Sequence, residues 1–132
     1  MVMSTITVAW HDSEMAKTFE LDDLRFNGSA TAFLFEGQKR AGIDVSMFIV
    51  RTPPGGFVEL HTHPYSETFL LLEGKGRWTA GDDVVEPPPN SMLVVPSETP
   101  HGFRNIGDVP LLVVSVHESG VLDQTFLGID PA

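Results

Sequence analysis

The sequence contains no cysteine among its 132 residues, which excludes disulfide bonds, thiolate metal ligands and cysteine nucleophiles. Basic residues are scarce: Lys plus Arg number 8 against 18 for Asp plus Glu, and none follows Arg104. This charge balance disfavours a phosphate backbone, so we expect no nucleic-acid partner. No stretch approaches the ~20 apolar residues of a membrane span, and the start of the chain lacks a basic segment. We therefore expect no membrane partner and a cytoplasmic location.

The length suits one domain with its own hydrophobic core. From about residue 30 onward, short apolar runs alternate with glycine and proline, a pattern typical of a β-sandwich or a small β-barrel. Helical patterning is weak and is limited to a turn or two within residues 13–24 and a terminal turn within 122–127. The sequence predicts a single all-β domain over residues 30–132, preceded by an N-terminal extension, residues 1–29, that contains an early strand or a short helix.

Three histidines and one glutamate have the spacing of a metal site on β-strands. One residue separates His61 from His63, so both rings lie on the same face of a strand, about 6 to 7 Å apart. The chain turns after His63, and Glu67 lies on the next strand. His101 begins a later apolar run and is the natural fourth ligand. Such a donor set suits Mn, Fe, Co, Ni, Cu or Zn, so we predict one divalent transition-metal ion per chain.

The residues around this group resemble the first motif of the cupins. Gly55, His61, His63, Glu67 and Gly74 are separated by five, one, three and six residues, which matches the family pattern at every fixed position.

A later stretch resembles the second cupin motif with two departures. Pro96, His101 and Asn105 fall at the family's spacings, whereas Asn90 and Glu98 stand where the family usually has glycine. Asn tolerates the left-handed backbone that glycine would supply at a turn, whereas Glu is less suited to it.

The resemblance implies a cupin-type double-stranded β-helix, a jelly-roll barrel. It also implies a metal-dependent, dioxygenase-like oxidoreductase that acts on a small organic molecule. Four protein ligands on an octahedral ion leave two positions free for such chemistry. A non-redox metal-dependent isomerase, lyase or cyclase is an alternative, and so is a small-molecule-binding module without turnover.

Side-chain alternation predicts the surroundings of the metal. If His61 and His63 face inward, Phe57 and Glu59 do so as well. The Glu59 carboxylate would then lie one strand step from His61 and could act as a base or as a partner of that ligand. An ion pair at the mouth of the barrel is the alternative for Glu59.

Several large apolar residues are expected to fill the barrel. If the interior leaves a substrate pocket, they would line it and favour a small apolar or aromatic molecule; these residues are Met47, Phe57, Phe69 and Phe103.

Apolar residues on the opposite face of the same strands are expected to pack on a second sheet or on a partner subunit, and we expect a homodimer. These residues are Val58, Leu60, Leu70 and Leu72. His117 has no neighbour at ligand spacing, so we predict that it is structural or exposed.

Overall fold

The computed structural model describes residues 15–132, and these form ten β-strands and three short helices. The strands are β1 (Ala32–Glu36), β2 (Ser46–Thr52), β3 (Phe57–Thr62), β4 (Glu67–Glu73), β5 (Gly76–Ala80), β6 (Asp83–Val85), β7 (Ser91–Val95), β8 (His101–Asn105), β9 (Leu111–His117) and β10 (Thr125–Phe126). Two 3-10 helices, Leu21–Leu24 and Phe26–Gly28, precede β1, and helix α1 (Gly37–Ala41) follows it. Residues 1–14 of the N-terminal extension are outside the described part of the chain, and an early strand within them stays a prediction.

The strands form two five-stranded antiparallel sheets with the orders β1-β2-β9-β4-β7 and β10-β3-β8-β5-β6. From β2 onward the chain passes repeatedly from one sheet to the other, as in a jelly roll. The predicted all-β, cupin-type barrel is therefore confirmed. No helix within residues 15–132 has both the length and the apolar character needed to cross a membrane.

The hydrophobic core fills one part of the space between the sheets. Trp78 is fully buried, and its ring stacks on Phe103 at 5.0 Å and meets Phe69 edge-on at 5.6 Å. Leu71 and Leu111 complete the contact between the sheets. Such aromatic pairs contribute about 0.5–1.5 kcal/mol each beyond the burial of their area. The inward positions of β4 change from Glu67 through Phe69 to Leu71, so the interior is polar at one end and apolar toward the other.

Strand β3 contains an irregularity that the sequence pattern does not predict. Its register against β8 shifts between Val58 and His61, as in a β-bulge. Val58 and His61 consequently both face the interior, whereas Phe57 and Glu59 are exposed. The predictions that Phe57 and Glu59 face inward and that Val58 faces outward are therefore wrong, because they assumed unbroken alternation along β3. Leu70 does face outward, as predicted.

Two further differences concern turns. Asn90 and Glu98, which replace the family's glycines, both have a φ of 63°, so each adopts the left-handed conformation that glycine would supply. The Glu98 backbone N–H donates to the His63 carbonyl at 2.8 Å, which gives this turn a direct link to the site. The terminal turn predicted within residues 122–127 is instead the short strand β10, which pairs with β3.

Candidate metal centre

The structure brings the four predicted metal ligands together at the polar end of the barrel. His61 lies near the end of β3, Glu67 begins β4 and His101 begins β8, while His63 follows β3. His61 and His101 are paired across β3 and β8. All four side chains are buried, and one potential ligand atom from each lies within 4.8 Å of the others. A first-row ion, with bonds of about 2.1 Å, would separate its ligands by about 3 to 4 Å, so the group needs little contraction.

The backbone fixes the orientation of each of the three imidazoles. Each ring donates from Nδ1 to a backbone carbonyl. His61 donates to Glu59 at 2.8 Å, His63 donates to Asp123 at 2.9 Å, and His101 donates to Thr99 at 2.8 Å. A carbonyl oxygen only accepts, so each Nδ1 carries the hydrogen. In the neutral ring Nε2 then keeps a lone pair, which is the arrangement that metal-bound histidines use.

Glu67 completes a donor set that suits a cation. Its Oε1 lies 3.1 Å from Nε2 of His63 and 2.8 Å from Nε2 of His101. A carboxylate oxygen at this distance from two lone-pair nitrogens is repelled unless the rings are protonated or a positive ion lies among the three atoms. Three imidazole nitrogens and one carboxylate oxygen fit a divalent transition metal.

The pKa values of the buried groups are consistent with this donor set. The pKa of His61 is lowered from 6.5 to about 4, chiefly by burial; the hydrogen bond to the Glu59 carbonyl opposes this shift, and the nearby rings of His101 and His63 add to it. His61 is therefore neutral at neutral pH, as a metal ligand must be. Burial opposes ionisation of Glu67, but hydrogen bonds from the imidazoles of His101, His117 and His63 outweigh it when these rings carry a hydrogen on Nε2, and they then hold the pKa of this carboxyl well below its usual value. A positive ion among the same atoms would favour the carboxylate in the same way.

A cavity of about 160 Å³ lies next to the group. Its wall is mainly apolar, and among the described residues that form it there is no lysine or arginine. The lining residues are Phe26, Ala32, Phe48, Val50, Val58, His61, Glu67, Phe69, Phe103, Val113, Ser115, His117 and Gln124. A metal ion bound by the four ligands would border this space.

The predicted pocket residues divide into two groups. Phe69 and Phe103 line the cavity. Met47 and Phe57 do not line it: Met47 lies on the opposite face of β2 from Phe48, and Phe57 is 42% exposed beneath the Arg104 guanidinium, 4.5 Å from its ring centre. The Glu59 carboxylate is outside the cavity as well, and this residue contributes its backbone carbonyl to the site instead.

His117 belongs to the site, although its spacing gave no sign of this. It is 1% exposed, its Nδ1 lies 2.8 Å from Tyr65 Oη, and its Nε2 lies 3.0 Å from Glu67 Oε2. The latter contact is close, but among residues 15–132 Nε2 has no partner that meets hydrogen-bond geometry, so the contact with Glu67 is electrostatic. Alternation along β9 places His117 on the inner face with Val113, and only the pairing of β9 with β4 brings it to Glu67.

Residues 48–117, just over half of the 132-residue chain, match the model of the family described as Cupin domain. The chain belongs to this family. The uncharacterized protein MJ1618 of Methanocaldococcus jannaschii is 32% identical over 89 residues, which are 67% of this chain and 71% of that protein. Protein SchB of Streptomyces halstedii is 37% identical over 62 residues, 46% of this chain and 45% of SchB.

Solved structures with the same fold include oxalate decarboxylases. This cupin superposes on the Bacillus subtilis enzyme with a TM-score of 0.73 at 21% identity, covering 83% of this chain and 31% of that one. The Lactobacillus farciminis enzyme gives a TM-score of 0.70 at 24% identity, covering 83% and 35%. The cupin thus spans about a third of the length of these enzymes, and the likeness shows the fold alone. The Bacillus subtilis enzyme is described with Mn(II) centres.

Proposed function

We propose that this cupin is a metal-dependent, dioxygenase-like oxidoreductase that acts on a small and mainly apolar organic molecule. The observation that carries the proposal is the position of His61, His63, Glu67 and His101 beside an apolar cavity of about 160 Å³. A redox-active ion such as iron or manganese, when bound there, would supply the oxidation–reduction chemistry. An apolar cavity of roughly 150 Å³ accommodates a molecule the size of benzene.

The cavity wall favours an uncharged substrate. Four phenylalanines contribute to it, which would hold an apolar or aromatic body and exclude water. Ser115 and Gln124 are the neutral polar side chains of the wall and would orient a hydroxyl or carbonyl group. The wall has no lysine or arginine among its described residues, and the chain has a net charge of −10. A dianion such as oxalate would therefore be poorly held.

Non-redox catalysis, by an isomerase, lyase or cyclase, is a second candidate that one observation favours. Such a reaction needs a group that moves a proton, and the exposed Glu59 carboxylate does not reach the cavity. His117 does line it, as a buried imidazole beside Glu67. The same ion would then polarise a carbonyl group of the substrate instead of changing its oxidation state.

Oxygen uptake distinguishes these functions. Protein loaded separately with Fe(II) and Zn(II) is screened with small phenols, diols and diketones while dissolved oxygen is recorded. We expect substrate-dependent oxygen consumption with iron and none with zinc, and none with iron-treated His61→Ala as the matched control. Turnover without oxygen on the zinc protein would establish the non-redox candidate instead. A compound that binds and is recovered unchanged under both conditions would indicate a binding module.

The outer face of the first sheet supports a homodimer, which we also propose. Alternation places apolar side chains on this face in all five strands: Phe33, Phe35, Met47, Ile49, Leu70, Met92, Val94, Leu112, Val114 and Val116. The charged residues Arg51 and Glu73 lie at one end and pair with each other at 3.6 Å. At the β1 edge the Arg25 guanidinium lies 5.7 Å from the Phe33 ring centre, and Phe19 packs on Phe35. Two chains of net charge −10 repel elsewhere, so the remaining, mainly apolar part of this face is the surface on which a second copy would pack.

Substitution in the edge strand β7 tests the dimer. Met92 and Val94 are 67% and 61% exposed, so a lysine there costs the folded monomer little but places a charge in the apolar contact. By light scattering we expect twice 14.4 kDa for the wild type and a shift toward 14.4 kDa for Val94→Lys. Val84→Lys, at a 56% exposed valine of the other sheet, should stay dimeric. A wild-type mass of 14.4 kDa at tens of micromolar would contradict the proposal.

A further inference from the structure

The two carboxylate oxygens of Glu67 have different neighbours. Oε1 faces the ligand nitrogens of His63 and His101, at 3.1 and 2.8 Å. Oε2 points the other way, and Nε2 of His117 lies 3.0 Å from it. Because Glu67 is 4% exposed, its second oxygen depends on the protein for a donor.

A directed chain of hydrogen bonds leads to His117. The Asp123 backbone N–H donates to Tyr65 Oη at 3.3 Å. The Tyr65 hydroxyl in turn can donate to His117 Nδ1, which lies 2.8 Å away. With Nδ1 accepting, the neutral His117 ring carries its hydrogen on Nε2, the nitrogen next to Glu67. The backbone carbonyl of the same residue, Asp123, accepts from His63 Nδ1, so the two backbone groups of one residue support both a candidate metal ligand and this chain.

Aromatic packing fixes the direction in which His117 points. Its ring contacts His63 at 4.6 Å, Tyr65 at 5.3 Å and Phe48 at 5.3 Å between ring centres. His117 is 1% exposed, and its Nε2 is without a hydrogen-bond partner in the described residues. A buried donor that is left unpaired is costly, and the oxygen 3.0 Å away is the acceptor that a small rotation of the carboxylate would supply.

We propose that His117 is a positioning residue of the metal centre: it holds Oε2 of Glu67, so that Glu67 meets the metal through Oε1 alone. This inference rests on the proposed metal centre and adds a role that none of the four ligands performs. A carboxylate held by one oxygen cannot turn to bind the ion through both. The second oxygen would then leave a coordination position of a bound ion unfilled, and both Glu67 and His117 line the cavity next to the group.

A pair of substitutions of similar size tests the role of the N–H group. His117→Leu removes the donor, whereas His117→Gln places an amide N–H₂ near the position of Nε2. Co(II) is the probe, because its visible absorption reports the coordination of the ion without any substrate. We expect His117→Leu to bind Co(II) about 10- to 100-fold more weakly and with an altered spectrum, the loss found when partners of metal ligands are removed. His117→Gln should recover most of the affinity and the wild-type spectrum.

Tyr65→Phe provides a second variant in case His117→Leu folds poorly. It keeps the ring and removes the hydroxyl that orients His117, so we expect a smaller loss of Co(II) affinity with the same direction of spectral change. Circular dichroism establishes that each variant is folded. Wild-type affinity and spectrum in both His117→Leu and Tyr65→Phe would overturn the positioning role, as would an equal loss in His117→Leu and His117→Gln. Failure of the wild-type protein itself to bind Co(II) would instead refute the metal centre on which the inference rests.

Discussion

His101→Ala should lose the metal ion almost completely while the barrel remains folded. His101 contributes one of three imidazoles, and its Nε2 lies 2.8 Å from Glu67 Oε1. Alanine leaves two nitrogen donors and one oxygen donor for the ion. Loss of a hydrogen-bond partner of a ligand already lowers metal affinity by up to about 100-fold. We therefore expect the loss of a ligand itself to lower the affinity for a divalent ion by more than about 100-fold. Elemental analysis after dialysis should show about one ion per chain in the wild type and almost none in the variant.

Phe103→Leu is the matched control for this experiment. Phe103 lies on the same strand and lines the same cavity, but it has no donor atom. Its shortening leaves a gap near the site without removing a ligand, so the metal content should stay near the wild-type value. Retention of the ion by His101→Ala, or equal loss from the two variants, would contradict the assignment of His101 as a ligand.

Gly102→Ala should damage the centre without changing any ligand. A Cβ atom at this position would overlap the Val58 carbonyl oxygen and lie 3.0 Å from the Glu59 carbonyl oxygen, both of which belong to the backbone of the irregular part of β3. Backbone cannot move aside as a side chain does, so β3 must shift. The Glu59 carbonyl holds His61 Nδ1, and the shift therefore displaces a ligand. We expect the free energy of unfolding to fall by about 1–3 kcal/mol and metal affinity to fall by at least about 10-fold.

Gly107→Ala is the control for the loss of a glycine. Gly107 follows the same strand, and an added Cβ would lie 3.1 Å from the Lys75 Cβ, a tight contact that a shift of a few tenths of an ångström relieves, without the overlap with backbone that Gly102 would suffer. In urea unfolding, the free energy of unfolding of Gly107→Ala should remain within about 0.5 kcal/mol of the wild-type value. Its metal content should be unchanged. If Gly102→Ala behaved like Gly107→Ala in both measurements, the close approach of β3 and β8 would not be what sets the position of His61.

The grouping of the four candidate metal ligands was predictable because their signal is local. The separation of His61 from His63, and the short turn that leads to Glu67, fix the relation of these side chains within one stretch of chain. His101 was found through the cupin motif and its place at the start of an apolar run. The strands were predictable for the same reason, because side-chain alternation and turn residues are properties of neighbouring positions in the sequence.

The remaining features depend on contacts that are distant along the chain. The bulge between Val58 and His61 arises where β3 meets β8, and nothing in the residues of β3 alone marks it. Glu59 and Phe57 were therefore assigned to the wrong face. His117 reaches Glu67 only because β9 pairs with β4, although the two are 50 positions apart in sequence. The contact between His117 and Glu67 could be predicted only from the order of the strands in the sheet.

The backbone of Asp123 links the candidate centre to the completion of folding. Its carbonyl holds His63 from 60 positions away, and its N–H reaches Tyr65 from 58 positions away. Closing loops of this length costs conformational entropy, and only the contacts of the assembled sheets offset that cost. A partly folded chain would offer the motif with its imidazoles free to rotate, and it would compete poorly for scarce ions. Ion capture should consequently come late, and once made it would stabilise only molecules whose long-range contacts are all in place.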